Sequence, residues 1–510
     1  MHAISLAPTF SSDMIPVYSM NTPFTHRLLS LLIPALLWLS VQPSQAQNVT
    51  LNDVHSRLNP TSVAEVLKPT STDEVIAAIH RAKATGKSIS IAGSRHAMGG
   101  QQFAADALHL DMTSMDQFLS LDPKLGLARA QAGITWPKLL KALEAAQPPD
   151  NSAPWTITQK QTGADELTLG GAVSTNIHGR GLTWQPFVQD IESLTLVNAS
   201  GETQTLSRTQ NRELFSLVIG GYGLFGVITE VELRLRLRQN LERIVEIGPI
   251  TNLQQRIAQR IQDGYLLGDF QFCPDETSLN FLNEGVFACY RPTTQSAPSK
   301  SNLNPAAWNR LLINAHSNRT QGWLDYTTYY QTTHGQTYGS DQAQFNHYDP
   351  DYHTMLQKNL PDLAPGSLMI SEVYVPAQQL EDFMTASAAD FRQHQTQVIY
   401  GTIRFIKRDD VTFLPWASQD FACIVFNLRV THTESGIAKA KGEFQRLIDR
   451  ALDRNGSFFL TYHRWATKAQ MIRAYPQFPE FLQLKKQHDP EERFQSEWYR
   501  HWRNEFNAAN

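Results

Sequence analysis

The sequence predicts an α+β fold in two parts, and three observations support this prediction. The chain has 510 residues, which is too long for one small core and suggests two domains. Residues 57–91 have the pattern of a strand, a helix and a second strand, which is typical of the opening of an α/β domain. Beyond residue 239, predicted strands are paired with predicted helices, as in an α+β domain.

The opening elements follow from local signals. Residues 63–66 are strand-like, and residues 69–74 favour a helix start with acidic side chains in its first turn. Apolar residues at helical spacing follow, and Gly86 ends the helix. Residues 88–91 alternate, so Ile89 and Ile91 are predicted on one buried face of a strand.

A turn of small residues follows this strand and contains His96 together with the adjacent glycines Gly99 and Gly100. A strand that runs into such a turn exposes several backbone N–H groups in a small space. These groups can hold an anion, most often a phosphate. Taken alone, a tight turn with a hydrogen-bonded histidine explains the pattern equally well, because short glycine-rich motifs have many false positives.

Two further glycine-rich stretches strengthen the prediction. Residues 162–181 are dominated by Gly, Ser, Thr and Asn, which lets the main chain pass close to a polar ligand and offers it hydroxyl and amide partners. Residues 220–233 begin with glycines and continue as an alternating strand.

In this order, the three stretches resemble the flavin domain of the vanillyl-alcohol oxidase and p-cresol methylhydroxylase superfamily. The nearest likeness is to bacterial aldonolactone and alditol oxidases and to cytokinin dehydrogenases. The resemblance implies a two-part PCMH-type FAD-binding domain over residues 57–238. It further implies an α+β substrate (cap) domain over residues 239–455, with an irregular insertion at about 300–352, and a C-terminal return to the FAD domain over residues 456–510.

The resemblance also assigns cofactor residues. The turn Gly93-Ser94-Arg95-His96-Ala97 matches the family's pyrophosphate loop, and His96 matches a histidine that many relatives bond covalently to FAD. A neutral imidazole is a good nucleophile near pH 7. Because the chain has no cysteine between residues 162 and 171, a second bond to the flavin is not expected. The other positions that match FAD contacts are Gly163, Thr168, Gly170, Gly171, Ser174, Asn176, His178 and Ile228. For His178, a locally satisfied core histidine is the alternative.

A flavin that oxidises an alcohol or amine needs a hydride delivered to N5 and a base for the other proton. The catalytic candidates from the cap are Arg404, Glu372 and His463, with Lys407 as a further possibility. Glu372 is equally compatible with a salt bridge, and His463 with packing. Lactone and alditol oxidases carry a Glu-x-Arg pair where this chain has Thr402-Ile403-Arg404, so sugar and lactone substrates are not favoured.

Composition excludes some classes of function. The net charge of −4 gives no reason to expect nucleic acid as a partner. The three cysteines form no disulfide framework; three buried thiols are expected, with a Cys273–Cys289 bridge as the alternative. No His/Cys cluster in the sequence indicates a metal site.

The first 46 residues have the pattern of a signal peptide. The short basic start Thr25-His26-Arg27 precedes an apolar run at 28–41, and Ser44-Gln45-Ala46 is typical of a cleavage site. We expect an exported protein, periplasmic or secreted, that starts near Gln47. An uncleaved segment would instead be a membrane anchor, and only then is membrane association expected.

Together these observations predict an exported FAD-dependent oxidase or dehydrogenase. It would oxidise a CH–OH group of a small-molecule substrate and pass the electrons to O2 or another carrier. The alternatives are amine (CH–NH) oxidation, as in cytokinin dehydrogenases, and a non-catalytic flavin-binding sensor or carrier. A secreted binding protein with chance similarity is a further alternative.

Overall fold

The structure is a computed structural model that describes residues 48–149, 151, 153–296, 303–345 and 352–508. The predicted signal peptide, residues 1–46, lies outside the described residues. Among the helices of the described ranges, none has both the length and the apolar character needed to cross a bilayer.

The described residues of the first half form short strands and four α-helices. In chain order these elements are β1 (Val49–Leu51), β2 (Thr61–Val63), β3 (Glu65–Leu67), α1 (Thr72–Thr85), β4 (Ile89–Ala92), β5 (Leu108–Asp111), β6 (Phe118–Asp122), β7 (Leu127–Gln131), α2 (Trp136–Ala145), β8 (Trp155–Thr156), α3 (Leu169–Thr175), β9 (Ile191–Val197), β10 (Thr203–Ser207), α4 (Arg212–Val218), β11 (Val227–Arg234) and β12 (Arg236–Leu237).

Two sheets organise these elements. A parallel sheet has the strand order β3-β5-β4, and an antiparallel sheet has the order β10-β9-β11-β7-β6. Helix α1 begins where the Ser71 side chain accepts the Glu74 N–H, and it ends at Gly86, which has φ 64°. The predicted strand–helix–strand opening is therefore confirmed, with α1 lying between two strands that both pair with β5.

One large antiparallel sheet dominates the second half. Its elements and the helices around them are β13 (Asn240–Pro249), α5 (Leu253–Gln262), β14 (Leu267–Phe272), β15 (Glu284–Pro292), α6 (Pro305–Ser317), α7 (Arg319–Thr332), β16 (Thr337–Gly339), α8 (Tyr352–Asn359), β17 (Gly366–Val375), α9 (Leu380–His394), β18 (Val398–Ile406), β19 (Phe421–Thr431), α10 (Glu434–Leu452) and β20 (Ser457–Phe458). The strand order is β16-β13-β15-β14-β18-β19-β17-β20. The mixture of helices and sheets confirms the predicted α+β class.

The structure corrects the prediction of an irregular insertion at about 300–352, because α6 and α7 occupy most of its described part. Asn304 and Asn318 cap these helices by accepting backbone N–H groups. Trp323, Tyr326 and Tyr330 of α7 pack against the apolar face of β13 and β15. The helical pattern of α6 and α7 is hard to recognise in the sequence. Their packing surface consists of aromatic residues that carry polar groups, and not of aliphatic residues.

The C-terminal segment contains α11 (Lys468–Ala474), α12 (Phe478–His488) and α13 (Glu497–Asn507). It runs beside β4, where the Ile89 N–H donates to the Arg493 carbonyl over 2.6 Å and the Gln495 N–H donates to the Ile89 carbonyl over 2.8 Å. A buried Lys485–Asp489 ion pair holds the end of α12. These contacts fit a return of the chain to the first half, while the predicted domain boundaries at 238 and 455 stay predictions.

Candidate functional site

A cavity of about 800 Å³ lies between the glycine-rich turns of the first half and the large sheet of the second half. Its lining from the first half comprises Val54, His55, His96, Ala97, Met98, Gln161, Thr162, Gly163, Ala164, Leu167, Thr175, Ile177 and His178. The second half contributes side chains from β17, β18 and β19 and from helices α6 and α7. The cavity therefore joins the two parts of the sequence to which the cofactor and substrate roles were assigned.

The turn that holds His96 is built to leave backbone N–H groups unused. Arg95 has φ 60°, in the left-handed region. Among the described residues, the backbone N–H groups of Ser94, Arg95 and Ala97 donate to no protein acceptor. Unused backbone N–H groups close together in a turn can bind an anion. A Cβ on Gly93 would lie 1.9 Å from Thr168 Oγ1, so this position requires glycine.

The second glycine-rich stretch forms α3 and the turns around it. Thr168 caps α3 by accepting the Gly171 N–H, and Gly170 lies so close to Ala132 that a Cβ would be 2.8 Å from the Ala132 Cβ. The Ser174 hydroxyl donates to the Gly170 carbonyl. Asn176 has its side chain engaged by Asp409 and by the Val188 N–H. Polar side chains of this stretch therefore make hydrogen bonds within the protein that hold its backbone in place beside the cavity.

The cofactor residues predicted from the sequence fall into two groups. His96, Ala97, Gly163 and His178 line the cavity. The others are not part of its lining, although most lie within the same turns: Gly93, Ser94, Arg95, Thr168, Gly170, Gly171, Ser174, Asn176 and Ile228. Ile228 is buried in β11, where it pairs with Leu196. Its predicted backbone contact to the flavin stays a prediction.

His178 and Glu372 form a buried pair at the junction of the two halves. His178 Nε2 lies 3.0 Å from Glu372 Oε1, and His178 Nδ1 lies 3.0 Å from the Gly179 carbonyl oxygen. The Tyr374 hydroxyl also donates to Glu372. Burial raises the pKa of Glu372, but the His178 charge and these hydrogen bonds outweigh it and lower the pKa below its ordinary value. Glu372 is therefore ionised at neutral pH.

Arg404 lies two residues along β18 from Thr402 and also faces the cavity. Its guanidinium donates to Thr162 Oγ1 in the second glycine-rich stretch. Arg404 is 8% exposed, and its Nε has no hydrogen-bond partner among the described residues. A buried N–H without an acceptor costs free energy, so a ligand oxygen that accepts from it is favoured.

The catalytic candidates His463 and Lys407 lie outside the cavity lining, as does Asp165 of the second glycine-rich stretch. His463 is 4% exposed and packs edge-on against Phe444 at 4.5 Å between ring centroids, so its geometry favours the packing interpretation. Lys407 is an exposed partner of Asp420. Asp165 accepts from the buried ammonium of Lys160 over 2.5 Å.

The ligand atoms of His178, Glu372 and Cys423 lie within 4.8 Å of one another, a spacing that a metal ion could bridge. Burial raises the pKa of the Cys423 thiol well above its ordinary value, and Glu372 already accepts two hydrogen bonds. Since metals bind the thiolate and not the thiol, these contacts favour a hydrogen-bonded group. The cysteines Cys273, Cys289 and Cys423 are all free and buried, as the sequence predicted.

Several residues that line the cavity were missed in the sequence. An aromatic wall formed by Trp308, Trp323, Tyr326, Tyr329, Tyr330, Tyr338 and Tyr400 covers its far side. Arg243 lies against this wall, with its guanidinium 4.7 Å from the Tyr338 ring centroid. Strand alternation was the available signal, because residues 400, 402 and 404 all face the cavity from the predicted strand β18. No sequence pattern indicated His55, because it lies before the first of the three glycine-rich stretches.

Three features test whether these residues fit FAD. The His96 turn presents unused N–H groups suited to a diphosphate. The glycine at position 93 allows close backbone packing against Thr168. The cavity continues from this turn to the His178–Glu372 pair and to Arg404. The donor set and the shape of the site therefore fit the cofactor.

Comparison with known proteins agrees with this geometry. Residues 63–207 match the family described as an FAD binding domain. The chain is similar to an L-gulonolactone oxidase from Scyliorhinus torazame, with 23% identity over 83% of this chain and 91% of that protein. It is 31% identical to cytokinin dehydrogenase 2 from Arabidopsis thaliana over 33% of each protein. It is also 32% identical to an uncharacterized oxidoreductase from the fasciation locus of Rhodococcoides fascians, over 33% of this chain.

The chain spans 37% of the length of the Rhodococcoides oxidoreductase and 33% of the length of the cytokinin dehydrogenase. It spans 91% of the length of the L-gulonolactone oxidase. The superfamily resemblance predicted from the three glycine-rich stretches is confirmed, and so is FAD as the cofactor.

Proposed function

We propose that the protein is an FAD-dependent oxidoreductase that oxidises a CH–OH group of a small-molecule substrate. The observation that carries this proposal is the shared cavity, in which the FAD-binding turns and a buried carboxylate–arginine set face the same space. The similarity to an L-gulonolactone oxidase over most of both chains supports CH–OH chemistry. The electrons would pass to O2 or to another acceptor.

Bound FAD supplies the hydride acceptor, and the protein must hold the substrate and accept its hydroxyl proton. Among the described residues, Glu372 is the only carboxylate that lines the cavity. His178 and Tyr374 keep it ionised, which is the state that can accept a proton. We therefore assign to Glu372 the role of proton acceptor and to His178 the role of orienting it.

Arg404 is suited to bind an oxygen of the substrate or of the flavin ring. Its Nε is without a partner, and its charge lies close enough to Glu372 to lower the pKa of that carboxyl. The Arg404 guanidinium also contacts Thr162, which belongs to the FAD-binding stretch. Arg404 therefore links the cofactor side of the cavity to the substrate side.

We assign His96 as the residue that bonds covalently to the flavin. The support is its place in the anion-binding turn at the cavity wall. Burial lowers the pKa of His96 to about 3, with the neighbouring His55 and Arg95 contributing, so its imidazole is neutral at pH 7. A neutral imidazole can act as a nucleophile.

We also assign the protein to an exported compartment, on the basis of the basic, apolar and small-residue pattern of residues 25–46. Fractionation of cells that express the full chain tests this assignment. Mass spectrometry of the exported protein should find an N-terminus near Gln47, and an intact N-terminus in the membrane fraction would support the anchor instead.

The central experiment is a spectrum of the purified protein, followed by anaerobic mixing with alcohols and amines. A flavin spectrum that alcohols bleach supports the proposed oxidation of CH–OH groups. If only amines bleach the flavin, the reaction is CH–NH oxidation and not CH–OH oxidation. A flavin that neither alcohols nor amines reduce would favour a sensor or carrier. A colourless protein that takes up no FAD would contradict the proposal.

The His96 bond is tested by acid precipitation of the same sample. Yellow colour that stays in the pellet, and that is lost in His96→Ala, supports covalent attachment. Colour that washes into the supernatant from the wild-type protein would contradict it, while leaving the oxidoreductase function intact.

A further inference from the structure

Arg243 of β13 is a buried cation at the cavity wall. It lines the cavity, and the residue is only 9% exposed. Its Nε donates to the Tyr290 hydroxyl over 2.8 Å, while its two terminal guanidinium nitrogens donate to no acceptor among the residues that the structure describes. The guanidinium carbon lies 5.1, 5.6 and 4.7 Å from the ring centroids of Tyr290, Tyr330 and Tyr338. Aromatic rings therefore surround Arg243, and N–H donors remain for a ligand.

No carboxylate forms an ion pair with Arg243 in the described part of the chain. The other arginines in the cavity lining each have an acidic neighbour, since Arg319 pairs with Glu276 over 2.5 Å and Arg404 lowers the pKa of Glu372. The side chains with the strongest electrostatic effect on Arg243 are tyrosines and not acids. A buried charge without a charged partner costs free energy, so an anionic ligand is favoured at this arginine.

Asp269 of β14 is a buried acid in the same region, and it is already engaged. Arg180 Nη1 lies 3.8 Å from Asp269 Oδ1, and the Gln271 amide donates to Asp269 Oδ2 over 2.8 Å. The guanidinium carbon of Arg180 also lies 5.1 Å from the Tyr290 ring centroid, as that of Arg243 does. Two guanidinium groups therefore meet at one tyrosine ring beside a single carboxylate.

Tyr330 and Tyr338 supply no negative charge at neutral pH. Burial raises the pKa of Tyr330, and it raises that of Tyr338 to about 12, against the opposing effect of the Arg243 charge. Both hydroxyls therefore keep their protons. Among the described side chains of this region, Arg180 and Arg243 against Asp269 leave one positive charge in excess, which favours an anionic group on the ligand.

Arg243 lies far from the reacting end of the cavity. In the strand order β13-β15-β14-β18, two strands separate Arg243 from Arg404. Neighbouring strands are about 4.8 Å apart, so the two arginines are roughly 14 Å apart along the sheet. A row of rings follows this path: the Tyr326 centroid lies 4.7 Å from that of Tyr330 and 6.3 Å from that of Tyr400 on β18. A ligand that reaches both ends must therefore be long.

We propose that the substrate is an elongated alcohol with an anionic oxygen group, a carboxylate or a phosphate, at the end opposite to its CH–OH group. Arg243 binds the anionic end, the aromatic wall contacts an apolar middle, and the CH–OH group lies at Glu372. The planar guanidinium can bind two oxygens of such a group at once. This inference rests on the CH–OH oxidation proposed above and names the substrate class for it.

The reaction leaves the anionic end unchanged. At the other end, the carbon loses a hydride to FAD and the hydroxyl loses its proton to Glu372, so the alcohol becomes a carbonyl group. The electrons then pass to O2 or to another acceptor. The anionic group therefore contributes to binding and orientation only.

The first test measures binding alone, with probes that have no hydroxyl group to oxidise. The FAD-loaded protein is titrated by isothermal calorimetry with decanoate, decyl phosphate and neutral decanamide, all below the concentrations at which they form micelles. Because a hydrogen bond to a charged group contributes about 10- to 100-fold in affinity, at least one anion should bind about tenfold more tightly than decanamide. The anion that binds more tightly identifies the group as carboxylate or phosphate.

Two variants locate the anionic end. Arg243→Met removes the charge and keeps an unbranched side chain against the tyrosine rings, so it should bind the preferred anion no more tightly than decanamide. Arg243→Lys keeps the charge but loses the planar fork, so its affinity for the anion should fall by about threefold or more. Both should keep the wild-type affinity for decanamide and the wild-type FAD content. If Arg243→Met does not fold, Arg243→Lys decides, and wild-type affinities for all three probes would overturn the inference.

Arg256→Gln is the matched control. The guanidinium carbon of Arg256, on α5, lies 4.6 Å from the Phe287 ring centroid, so this arginine also packs over a ring of the large sheet. It pairs with Glu246 and is not part of the cavity lining. The variant should keep the wild-type preference for the anion.

The second test measures anaerobic flavin reduction at low substrate concentration. The anionic alcohol, 10-hydroxydecanoate or 10-hydroxydecyl phosphate, should reduce the flavin about tenfold faster or more than neutral 1,10-decanediol. Arg243→Met should remove this difference. The short acid 4-hydroxybutanoate cannot reach from Arg243 to Glu372, so it should gain no advantage over 1,4-butanediol.

Each outcome decides the proposal. A preference for an anion that Arg243→Met removes and Arg256→Gln keeps supports it. Equal binding of all three probes, or binding of none, overturns it and leaves the proposed oxidation standing if other alcohols reduce the flavin. Loss of the preference in Arg256→Gln also overturns it, since the preference would then come from the general charge of the protein. If an anion binds through Arg243 but no alcohol reduces the flavin, the anion site stands and the proposed oxidation fails together with the substrate class.

Discussion

The two walls of the cavity are made in different ways. The FAD side is formed by turns in which glycine and backbone N–H groups dominate, and the polar side chains there mostly hold the backbone itself. The opposite side is formed by large side chains on β16, β17, β18, α6 and α7. Glu372, Arg404 and the aromatic wall all reach across from these elements.

The two walls therefore recognise their ligands differently, one through the backbone and the other through side chains. A backbone that binds an anion depends on local conformation, which a few neighbouring residues determine. A pocket of side chains depends on which strands are adjacent and in what register. In this sheet Glu372 pairs with Val425 and Arg404 pairs with Cys423, so β19 lies between the two charged residues. We expect mutations on the two sides to affect different properties.

The largest effect is expected from Glu372→Gln on the side-chain wall. Removal of the proposed proton acceptor should slow flavin reduction by about 10²- to 10⁴-fold, while FAD content stays at the wild-type level. Stopped-flow absorbance under anaerobic conditions measures this rate. If the variant instead lost FAD, the separation of roles between the two walls would be wrong.

Gly93→Ala tests the backbone wall. The added Cβ would lie 1.9 Å from Thr168 Oγ1 and 3.0 Å from Thr168 Cβ, so Thr168 would have to move and α3 would lose its cap. We expect FAD affinity to fall by about tenfold or more, which corresponds to about 1.4 kcal/mol. Titration of the apo-protein with FAD measures this change.

The control for this variant is Gly248→Ala in β13, where a Cβ would meet nothing within 4 Å. It should bind FAD as the wild type does. Equal losses of affinity in both variants would contradict a special role for the turn.

Arg404→Gln tests the link between the two walls. A hydrogen bond to a charged group contributes about 1.5–3 kcal/mol, so its loss should lower kcat/KM by about 10- to 100-fold. FAD content should be nearly unchanged, because the Thr162 contact is a single hydrogen bond at the edge of the site. Steady-state kinetics measure the change in kcat/KM, and the flavin-to-protein absorbance ratio measures the FAD content.

A pH dependence of stability arises outside the cavity and leaves both walls unchanged. Burial lowers the pKa of His463 from its ordinary value of 6.5 to about 3. Below pH 6.5 the unfolded chain therefore binds a proton that the folded chain does not, and the free energy of unfolding falls as the pH drops toward 3. The slope from this one histidine approaches about 1.4 kcal/mol per pH unit.

His463→Phe should remove this contribution, so its free energy of unfolding should change less between pH 7 and pH 5 than that of the wild type. Urea unfolding at several pH values measures the difference. His80→Gln, at an exposed position of α1, is the control and should keep the wild-type slope. An unchanged slope in His463→Phe would show that His463 is not buried in its neutral form.

The sequence by itself determined the cofactor and the broad class of the fold. Three glycine-rich stretches in a fixed order carried the family resemblance that implies FAD. Turns that bind anions through backbone N–H groups arise between residues close in the chain, so their signal is visible in the sequence. The opening strand, helix and strand were predicted for the same reason, since Ser71, Gly86 and the apolar spacing around them are local signals.

Only the tertiary structure decided which side chains meet. His178 and Glu372 are 194 residues apart in the chain, and His55 and His96 are 41 apart, so no local pattern could pair them. The helices α6 and α7 were missed because their packing surface is aromatic and polar-tipped. Contacts between side chains distant in sequence exist only when the backbone brings their elements together, and the catalytic proposals for this protein depend on those contacts.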